Sequence, residues 1–277
     1  YYCCLREAED HLPVNNSTYG KIRVLESVDG ESWYSIGLVR DENYDLRDPK
    51  FSITANNQLM LSYGCSAFID GQFGYRKNMF IYIFSNPEQN QPNFNHSQSF
   101  FIPVNQLLPT YWLWRIIWHQ NQAYSIAYTF IYPVLLTSKD GINYMQLSEL
   151  DFFPDAHEVS EADLKFLSDE KLMIIIRSNR TNGYLATSSY PYDKWEWKAL
   201  EYTVHCPKIF EINSHLFVTG RGDAGKNVVY HIKNDILYPI YDFPGEGDSA
   251  YPGVIVTNNE VWISYYTTQK KRTSVYL

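Results

Sequence analysis

Apolar and polar residues alternate along the chain in short runs that are separated by polar turns. This period of two is typical of β-strands that bury one face, whereas a helix repeats its apolar positions every three or four residues. Many runs are followed by Asn, Asp, Ser or Gly and then by a second run, which is the pattern of a β-hairpin. The sequence therefore predicts an all-β protein.

The predicted hairpin recurs as an internal repeat. Four copies are clear, a fifth is looser, and the first residues look like the second half of a sixth. The units are 48–64, 161–177, 206–221 and 251–266, then the looser 115–128, and finally 1–6. Radial repetition of such units protects sheet edges. We therefore predict one domain over 1–277, a six-bladed β-propeller of four-stranded antiparallel blades, with the first blade cut short on its N-terminal side.

Two segments share the pattern Ser-x-Asp-Gly-x-x-aromatic, at 27–33 and 138–144. Gly accepts a positive φ and the Asp side chain can accept hydrogen bonds from nearby backbone N–H groups, so the pair favours a tight turn. We expect both turns to be structural, at the end of their blades opposite the candidate site.

Composition and charge narrow the classes of function. The formal net charge is −8 and no Lys/Arg run is present, which argues against nucleic acid as a partner, because phosphate binding needs a basic stripe. No apolar run is long enough to span a bilayer and no signal peptide is visible. Because the chain begins inside an apolar strand, we expect residues to precede it. The compartment and the oligomeric state stay open.

Cysteine and histidine spacing favours neither a disulfide framework nor a metal site. The cysteines, which we expect to be small buried residues, are Cys3, Cys4, Cys65 and Cys206. The histidines that could face the cleft are His11, His119 and His205. We predict no metal and no cofactor.

Hairpin geometry brings specific residues together. The first residue of one strand and the last residue of the next share a sheet edge, so Glu161 should lie beside Arg177. By the same argument Tyr251 should lie near Tyr265 or Tyr266, and the residues at 48 and 64 should be neighbours.

The repeat also aligns Arg6, Arg177 and Arg221 at equivalent hairpin ends, facing the axis from one side. A guanidinium presents a planar fork of donors that suits a carboxylate or a phosphate. Alternatively, these arginines pair with acidic neighbours and only tie blades together.

These features resemble the sialidase superfamily, in which such turns are called Asp boxes and six blades surround a pseudo-axis. The resemblance spans nearly the whole chain. It is closest to a bacterial group of sialidase-like proteins with Tyr-Arg-Glu, Asp-Leu-Arg-Asp, Trp-Leu-Trp-Arg and Ser-Tyr-Pro-Gly segments. Their counterparts here are 5–7, 45–48, 112–115 and 250–253.

The resemblance implies a tyrosine nucleophile activated by a glutamate, with a separate aspartate as acid/base. By motif Tyr251 and Glu161 match the tyrosine and the glutamate, and Asp10 lies where the acid/base loop is expected. Arg177 and, more loosely, Arg221 match two arginines of the substrate-binding triad. The first arginine of that triad would precede this chain, which lacks the Phe-Arg-Ile-Pro segment that carries it.

Asp48 occupies the same hairpin position as Glu161, so two ordinary carboxylates could instead perform general acid/base hydrolysis. The candidate catalytic residues are Tyr251, Glu161, Asp10 and Asp48. The candidate substrate-binding residues are Arg6, Arg47, Arg115, Arg177, Arg221 and Asp248.

The sequence thus predicts an exo-acting, sialidase-like glycoside hydrolase that cleaves a terminal sugar, acidic or neutral. An alternative is a glycan-binding propeller without catalysis, whose aromatic rim stacks on sugars. That rim would consist of Tyr75, Tyr111, Trp112 and Trp114. A third interpretation is a scaffold for protein partners, and the fold alone does not decide among the three. The segment 85–105 is predicted to be a long loop.

Overall fold

The computed structural model describes residues 1–13, 18–69, 72–82, 100–101, 111–128, 132–150, 158–258, 260–269 and 272–277. Regular structure in these residues is β-strand, and they contain no α-helix. Most of the predicted loop 85–105 lies outside them, although Phe100 and Phe101 form a short strand.

The strands form six antiparallel sheets, each pairing its strands in chain order. Sheet one contains β1 (Tyr2–Glu7), β2 (Lys21–Glu26) and β3 (Tyr34–Val39). Sheet two contains β4 (Asp45–Ile53), β5 (Leu59–Ile69), β6 (Gln72–Tyr82) and β7 (Phe100–Phe101). Sheet three contains β8 (Trp112–His119), β9 (Gln122–Tyr128), β10 (Val134–Ser138) and β11 (Met145–Glu149).

The second half of the chain supplies the other three sheets. Sheet four contains β12 (Val159–Phe166), β13 (Leu172–Ser178), β14 (Tyr184–Ser188) and β15 (Glu196–Ala199). Sheet five contains β16 (His205–Ile212), β17 (His215–Arg221), β18 (Asn227–Lys233) and β19 (Ile236–Asp242). Sheet six contains β20 (Ala250–Val256), β21 (Val261–Gln269) and β22 (Arg272–Tyr276).

The all-β class and the hairpin repeat are confirmed. The pairs β4–β5, β12–β13, β16–β17 and β20–β21 are antiparallel hairpins, as predicted. Four strands were expected in every sheet, but sheets one and six have three within the described residues.

The chain divides into two compact units. Unit one consists of Tyr1–Ser125 with Leu136–Met145, and unit two of Ile126–Leu135 with Gln146–Leu277. The assignment of 1–277 to one propeller domain stays a prediction.

Each unit has an apolar core that follows from the alternating pattern. In unit one, Ile22 and Val24 are two residues apart on β2 and fully buried, since alternate residues face the same side of a strand. They pack with Leu46, Leu61 and Cys65. In unit two a second core cluster includes Met173, Ile175, Leu185, Ile209, Val218 and Tyr230.

The turn at 27–33 is held by its own side chains. Asp29 Oδ1 accepts the N–H groups of Glu31 at 2.9 Å and Ser32 at 2.8 Å. Ser27 Oγ accepts the N–H of Gly30 at 2.8 Å and donates to Asp29 Oδ1. These bonds stabilise the carboxylate and lower the pKa of Asp29 to about 2.

The turn at 138–144 repeats this geometry. Ser138 Oγ accepts the N–H of Gly141, and Asp140 Oδ1 accepts the N–H groups of Ile142 and Asn143. In sheet one the turn lies away from Arg6. Arg6 pairs with Ile22, whereas the N–H of Ser27 donates to the carbonyl of Tyr1 at the other end of the same strands.

Candidate functional site in unit two

The first strand of four hairpins contains a β-bulge at a residue of interest. The register shifts lie between residues 47 and 50, 159 and 162, 205 and 208, and 250 and 253. A bulge re-aims a side chain and frees backbone groups from the strand ladder. The bulged residues include Asp48, Glu161, Cys206 and Tyr251.

Tyr251 begins the bulge of β20 with a φ of 54°. Positive φ is rare for a bulky aromatic residue and indicates a conformation imposed by its surroundings. Its ring stacks on that of Tyr266, with ring centroids 5.8 Å apart, which confirms the predicted neighbourhood. Tyr251 remains partly accessible, since 37% of the residue is exposed.

The hydroxyl of Tyr251 donates a hydrogen bond of 2.8 Å to Oε1 of Glu161. Glu161 itself is only 3% exposed and projects from the bulge of β12. The structure thus places the two candidate catalytic residues of unit two in direct contact.

The other oxygen of the Glu161 carboxylate accepts three donors. Arg177 Nη1 lies 3.0 Å from Oε2, which confirms the predicted pair at the hairpin end. The N–H and the Sγ of Cys206 lie 3.1 and 2.9 Å from the same oxygen. A buried carboxylate is tolerated here because its acceptor positions are satisfied.

Burial alone would raise the pKa of Glu161. The positive charge of Arg177 and the hydrogen bonds from Cys206, Arg177 and Tyr251 outweigh it, and they hold that pKa below its ordinary value. Glu161 is therefore ionised at neutral pH. Burial, and next the Glu161 charge, raise the pKa of Cys206 well above its ordinary value, so the thiol stays protonated.

A second ion pair flanks this cluster. Arg221 Nη1 lies 2.9 Å from Oδ1 of Asp248, and the hydroxyl of Tyr266 donates to the same oxygen at 3.0 Å. Burial, and next the charge of Asp248, raise the pKa of Tyr266. The candidate residues Arg221 and Asp248 are therefore engaged with each other.

His205 is the strand partner of Arg221 at the start of β16. Burial first, and then the positive charges of Arg177 and Arg221, lower the pKa of His205 to about 4. The imidazole is therefore neutral at pH 7. The expectation that Arg6, Arg177 and Arg221 face the axis from one side stays a prediction.

This arrangement combines a phenol that contacts an ionised carboxylate with two nearby cations. The carboxylate can take the phenolic proton, which makes the tyrosine oxygen a better nucleophile. The Nε atoms of Arg177 and Arg221 are buried and have no hydrogen-bond partner among the described residues, whereas the two side chains as a whole are 23% and 22% exposed.

In unit one the predicted residues Arg6 and Arg47 pair with a carboxylate that sequence reasoning did not single out. Asp45 is fully buried and contacts both guanidinium groups, with Arg6 Nη2 2.9 Å from its Oδ1. Arg6 also donates to the carbonyl of Asp10, and Arg47 to that of His11. Arg6 thus makes an acidic pair of the kind that the alternative interpretation describes, as Arg177 and Arg221 also do. The roles of Arg6 and Arg47 toward a substrate stay predictions.

The hairpin argument predicts Asp48 beside Gly64, but the structure pairs Arg47 with Gly64 and places Asp48 in the bulge directly after it. The carbonyl of Asp48 accepts a hydrogen bond of 2.8 Å from Lys50. Arg115 is half-buried on β8. Catalytic and binding roles for Asp48 and Arg115 likewise stay predictions.

The proposed aromatic rim is wrong for the residues that the structure describes. Tyr111, Trp112 and Trp114 are 5%, 2% and 2% exposed. The reason is packing: a Cβ added at Gly64 would lie 2.1 Å from the Trp112 ring, so this glycine makes room for the indole. The side chain of Tyr75 lies outside the described side chains.

Sequence reasoning treated Cys206 as a small buried residue and named Tyr266 only as a neighbour of Tyr251. A signal for Cys206 was present, since Cys206-Pro207 occupies the repeat position of Tyr251-Pro252. Both cysteine and tyrosine there have φ near 54°, at 53° and 54°.

The four cysteines form no disulfide. Among the described residues, no three His, Cys, Asp or Glu side chains are grouped so that they could hold a metal ion. Nor does any helix in that part of the chain have the length and apolar character needed to cross a membrane.

The solved structures that the chain resembles include trypanosome sialidases, which supports a sialidase-like fold. A protein of unknown function from Dyadobacter fermentans superposes with a TM-score of 0.78 at 12% identity, covering 99% of this chain and 89% of that chain. Trypanosoma rangeli sialidase in complex with the inhibitor DANA gives 0.64 at 11%, covering 99% and 52%. The polysaccharide lyase Uly1 gives 0.54 at 11%, covering 99% and 74%.

At such identities the similarity shows the fold alone. The chain spans about half the length of the trypanosome sialidase, at 52%. No protein-family description matches the chain. No curated protein matches it by sequence.

Proposed function

We propose that the chain is a six-bladed β-propeller that acts as an exo-acting glycoside hydrolase of the sialidase-like type. The observation that carries this proposal is the 2.8 Å hydrogen bond from the Tyr251 hydroxyl to an ionised, buried Glu161. The six antiparallel sheets and the sialidase-like fold support the propeller.

In the first step the oxygen of Tyr251 attacks the anomeric carbon of a terminal sugar while its proton passes to Oε1 of Glu161. The bond from that carbon to the leaving oxygen breaks, and an acid protonates the leaving oxygen. In the second step water attacks the anomeric carbon and gives a proton to the acid that was deprotonated in the first step. The bond to Tyr251 breaks, and the phenol regains its proton from Glu161. The configuration at the anomeric carbon is retained.

The pKa of Glu161 bears on the competing mechanism with two ordinary carboxylates. A general acid must hold its proton near the working pH, which requires a raised pKa. At Glu161 the charge of Arg177 and the hydrogen bonds outweigh the effect of burial, so the pKa is lowered. Glu161 is therefore suited to act as a base and not as a general acid. The acid is assigned by sequence to Asp10 or Asp48, and that assignment stays a prediction.

Arg177 and Arg221 would bind an anionic group of the sugar. Each side chain is partly exposed, at 23% for Arg177 and 22% for Arg221, so a ligand can reach part of each although each is paired with a carboxylate. Arg221 would exchange or share its partner Asp248 when the substrate binds. T. rangeli sialidase, which shares the fold, has been captured with DANA and as a covalent intermediate with 2,3-difluorosialic acid.

The test is turnover of a panel of aryl glycosides, including the N-acetylneuraminic acid derivative, by the wild type and by Tyr251→Phe. We expect release from an acidic glycoside that is lost in the variant, while binding of the sugar persists. Tyr190→Phe is the matched control, because Tyr190 is an exposed tyrosine whose ring packs on Tyr192.

Three outcomes separate the alternatives. Turnover that survives Tyr251→Phe would assign the chemistry to carboxylates. Binding of sugars without turnover would favour a glycan-binding propeller. Neither binding nor turnover across the panel would favour a protein scaffold.

A further inference from the structure

We propose that Cys206 is a positioning residue. It holds one oxygen of the Glu161 carboxylate by hydrogen bonds, so that the other oxygen faces Tyr251. The geometry is asymmetric. Oε2 accepts hydrogen bonds from the N–H and the thiol of Cys206 and from the Arg177 guanidinium. Oε1 accepts one hydrogen bond, from the Tyr251 hydroxyl.

The bulge of β16 makes this double contact possible. Cys206 has a φ of 53° and lies in the register shift between His205 and Lys208. There its N–H is released from the strand ladder and points in the same direction as its thiol. One residue of sheet five therefore donates twice to a carboxylate that projects from sheet four.

The thiol acts as a donor and not as a nucleophile. Cys206 is fully buried, and its pKa is raised by burial and by Glu161. A thiolate beside the carboxylate would place two negative charges in contact, so the proton stays on sulfur and is shared with Oε2.

The consequence for the reaction, which rests on the proposed function, is that Glu161 stays ionised and correctly rotated. Donors to a carboxylate favour its charged form. Without the S–H donor, Oε2 is less well satisfied, and the carboxylate is easier to protonate and freer to turn away from Tyr251.

The test compares Cys206→Ala, which removes the donor, with Cys206→Ser, which retains one. Cys65→Ala is the matched control, because Cys65 is also buried but packs in the apolar core of unit one. The first readout needs no substrate: the 13C signal of the Glu161 carboxyl carbon is titrated by NMR and assigned by its absence in Glu161→Gln.

We expect Cys206→Ala to raise the pKa of Glu161 and Cys206→Ser to restore it to the wild-type value or below. With an active substrate, kcat of Cys206→Ala should fall roughly ten-fold, as for one lost hydrogen bond to a charged group. KM should change little, and the acidic limb of the profile of kcat against pH should shift to higher pH. Cys206→Ser should recover both properties.

An unchanged Glu161 titration in Cys206→Ala would overturn the proposal. A Cys206→Ser variant in which the pKa of Glu161 is higher than in the wild type would also overturn it. The measurement on Cys206→Ser remains informative if the alanine variant fails to fold. If the wild type turns over no glycoside, the proposed function fails, while the NMR titration still decides the role of Cys206.

Discussion

The hydroxyl of Tyr251 and the carboxylate of Glu161 lie 2.8 Å apart although 90 residues separate them in sequence. Tyr251 belongs to sheet six and Glu161 to sheet four, and each projects from a bulge in the first strand of its hairpin. The contact joins an accessible phenol to a buried anion. Its strength depends on Glu161 remaining charged, which makes it sensitive to pH and to the neighbours of the carboxylate.

Replacing Glu161 with Gln should destabilise the protein most at neutral pH. The folded-state pKa of Glu161 is lowered, so its ionisation contributes stability above the unfolded-state pKa and loses that contribution as pH falls through the folded-state value. The change also leaves Arg177 without its charged partner, at a cost of about 3 kcal/mol. Urea unfolding should show a wild-type advantage at pH 7 that narrows toward pH 3.

The control for that measurement is Glu158→Gln, which removes an exposed partner of Arg180. Exposed pairs contribute about 0–1 kcal/mol, so this variant should unfold nearly as the wild type does. An advantage of wild type over Glu161→Gln that grows on acidification would contradict the assignment.

His205 should make the protein less stable in mild acid. Its pKa is about 4 in the folded state against 6.5 ordinarily, so between these values the unfolded chain binds more protons. The contribution of the neutral His205 to stability is therefore fully present above pH 6.5, and it decreases as the pH falls toward 4. His205→Gln should flatten the pH dependence of the urea midpoint across this window, whereas the exposed His215→Gln should leave it unchanged. A steeper slope in His205→Gln would show that the ring is charged when folded.

The hairpins and the pair Glu161–Arg177 could be predicted because both depend on local sequence. A period of two gives the strands, and a short turn brings the end of one strand to the start of the next. The contact between Tyr251 and Glu161 crosses sheets, and the sequence indicated it only through the resemblance to sialidases.

The roles of Cys206 and Asp45 could not be predicted, because they depend on which backbone N–H groups a bulge or a loop leaves free. Alternation also does not tell which face of a strand meets a neighbouring element. Trp112 and Trp114 were therefore assigned to an exposed rim, whereas both are buried.

Asp45→Asn should be among the most damaging polar substitutions in unit one. The Asp45 carboxylate is fully buried between Arg6 and Arg47 and also accepts the N–H of Gly20. Removing its charge leaves two guanidinium groups without a counter-ion, which costs about 3–5 kcal/mol when such a pair is buried. Chemical denaturation of the variant measures this loss.

The contrast is Glu7→Gln, which breaks an exposed pair with Arg23 in the same unit. Its loss should lie within about 1 kcal/mol. If the two variants unfold at the same denaturant concentration, the buried pairs of Asp45 stabilise unit one no more than an exposed pair does.

Gly141→Ala should be destabilising for two separable reasons. The residue has a φ of 73°, which costs about 1 kcal/mol for a side chain. A Cβ there would also lie 2.5 Å from Cζ2 of Trp118, and such overpacking typically costs about 1–3 kcal/mol. Gly225→Ala isolates the first effect, because Gly225 has the same φ of 73° and its added Cβ would lie no nearer than 3.6 Å to another atom. Combining Gly141→Ala with Trp118→Leu should return the clash part of the loss, as measured by a double-mutant cycle. Additive losses would mean that the indole already yields and that backbone strain alone requires the glycine.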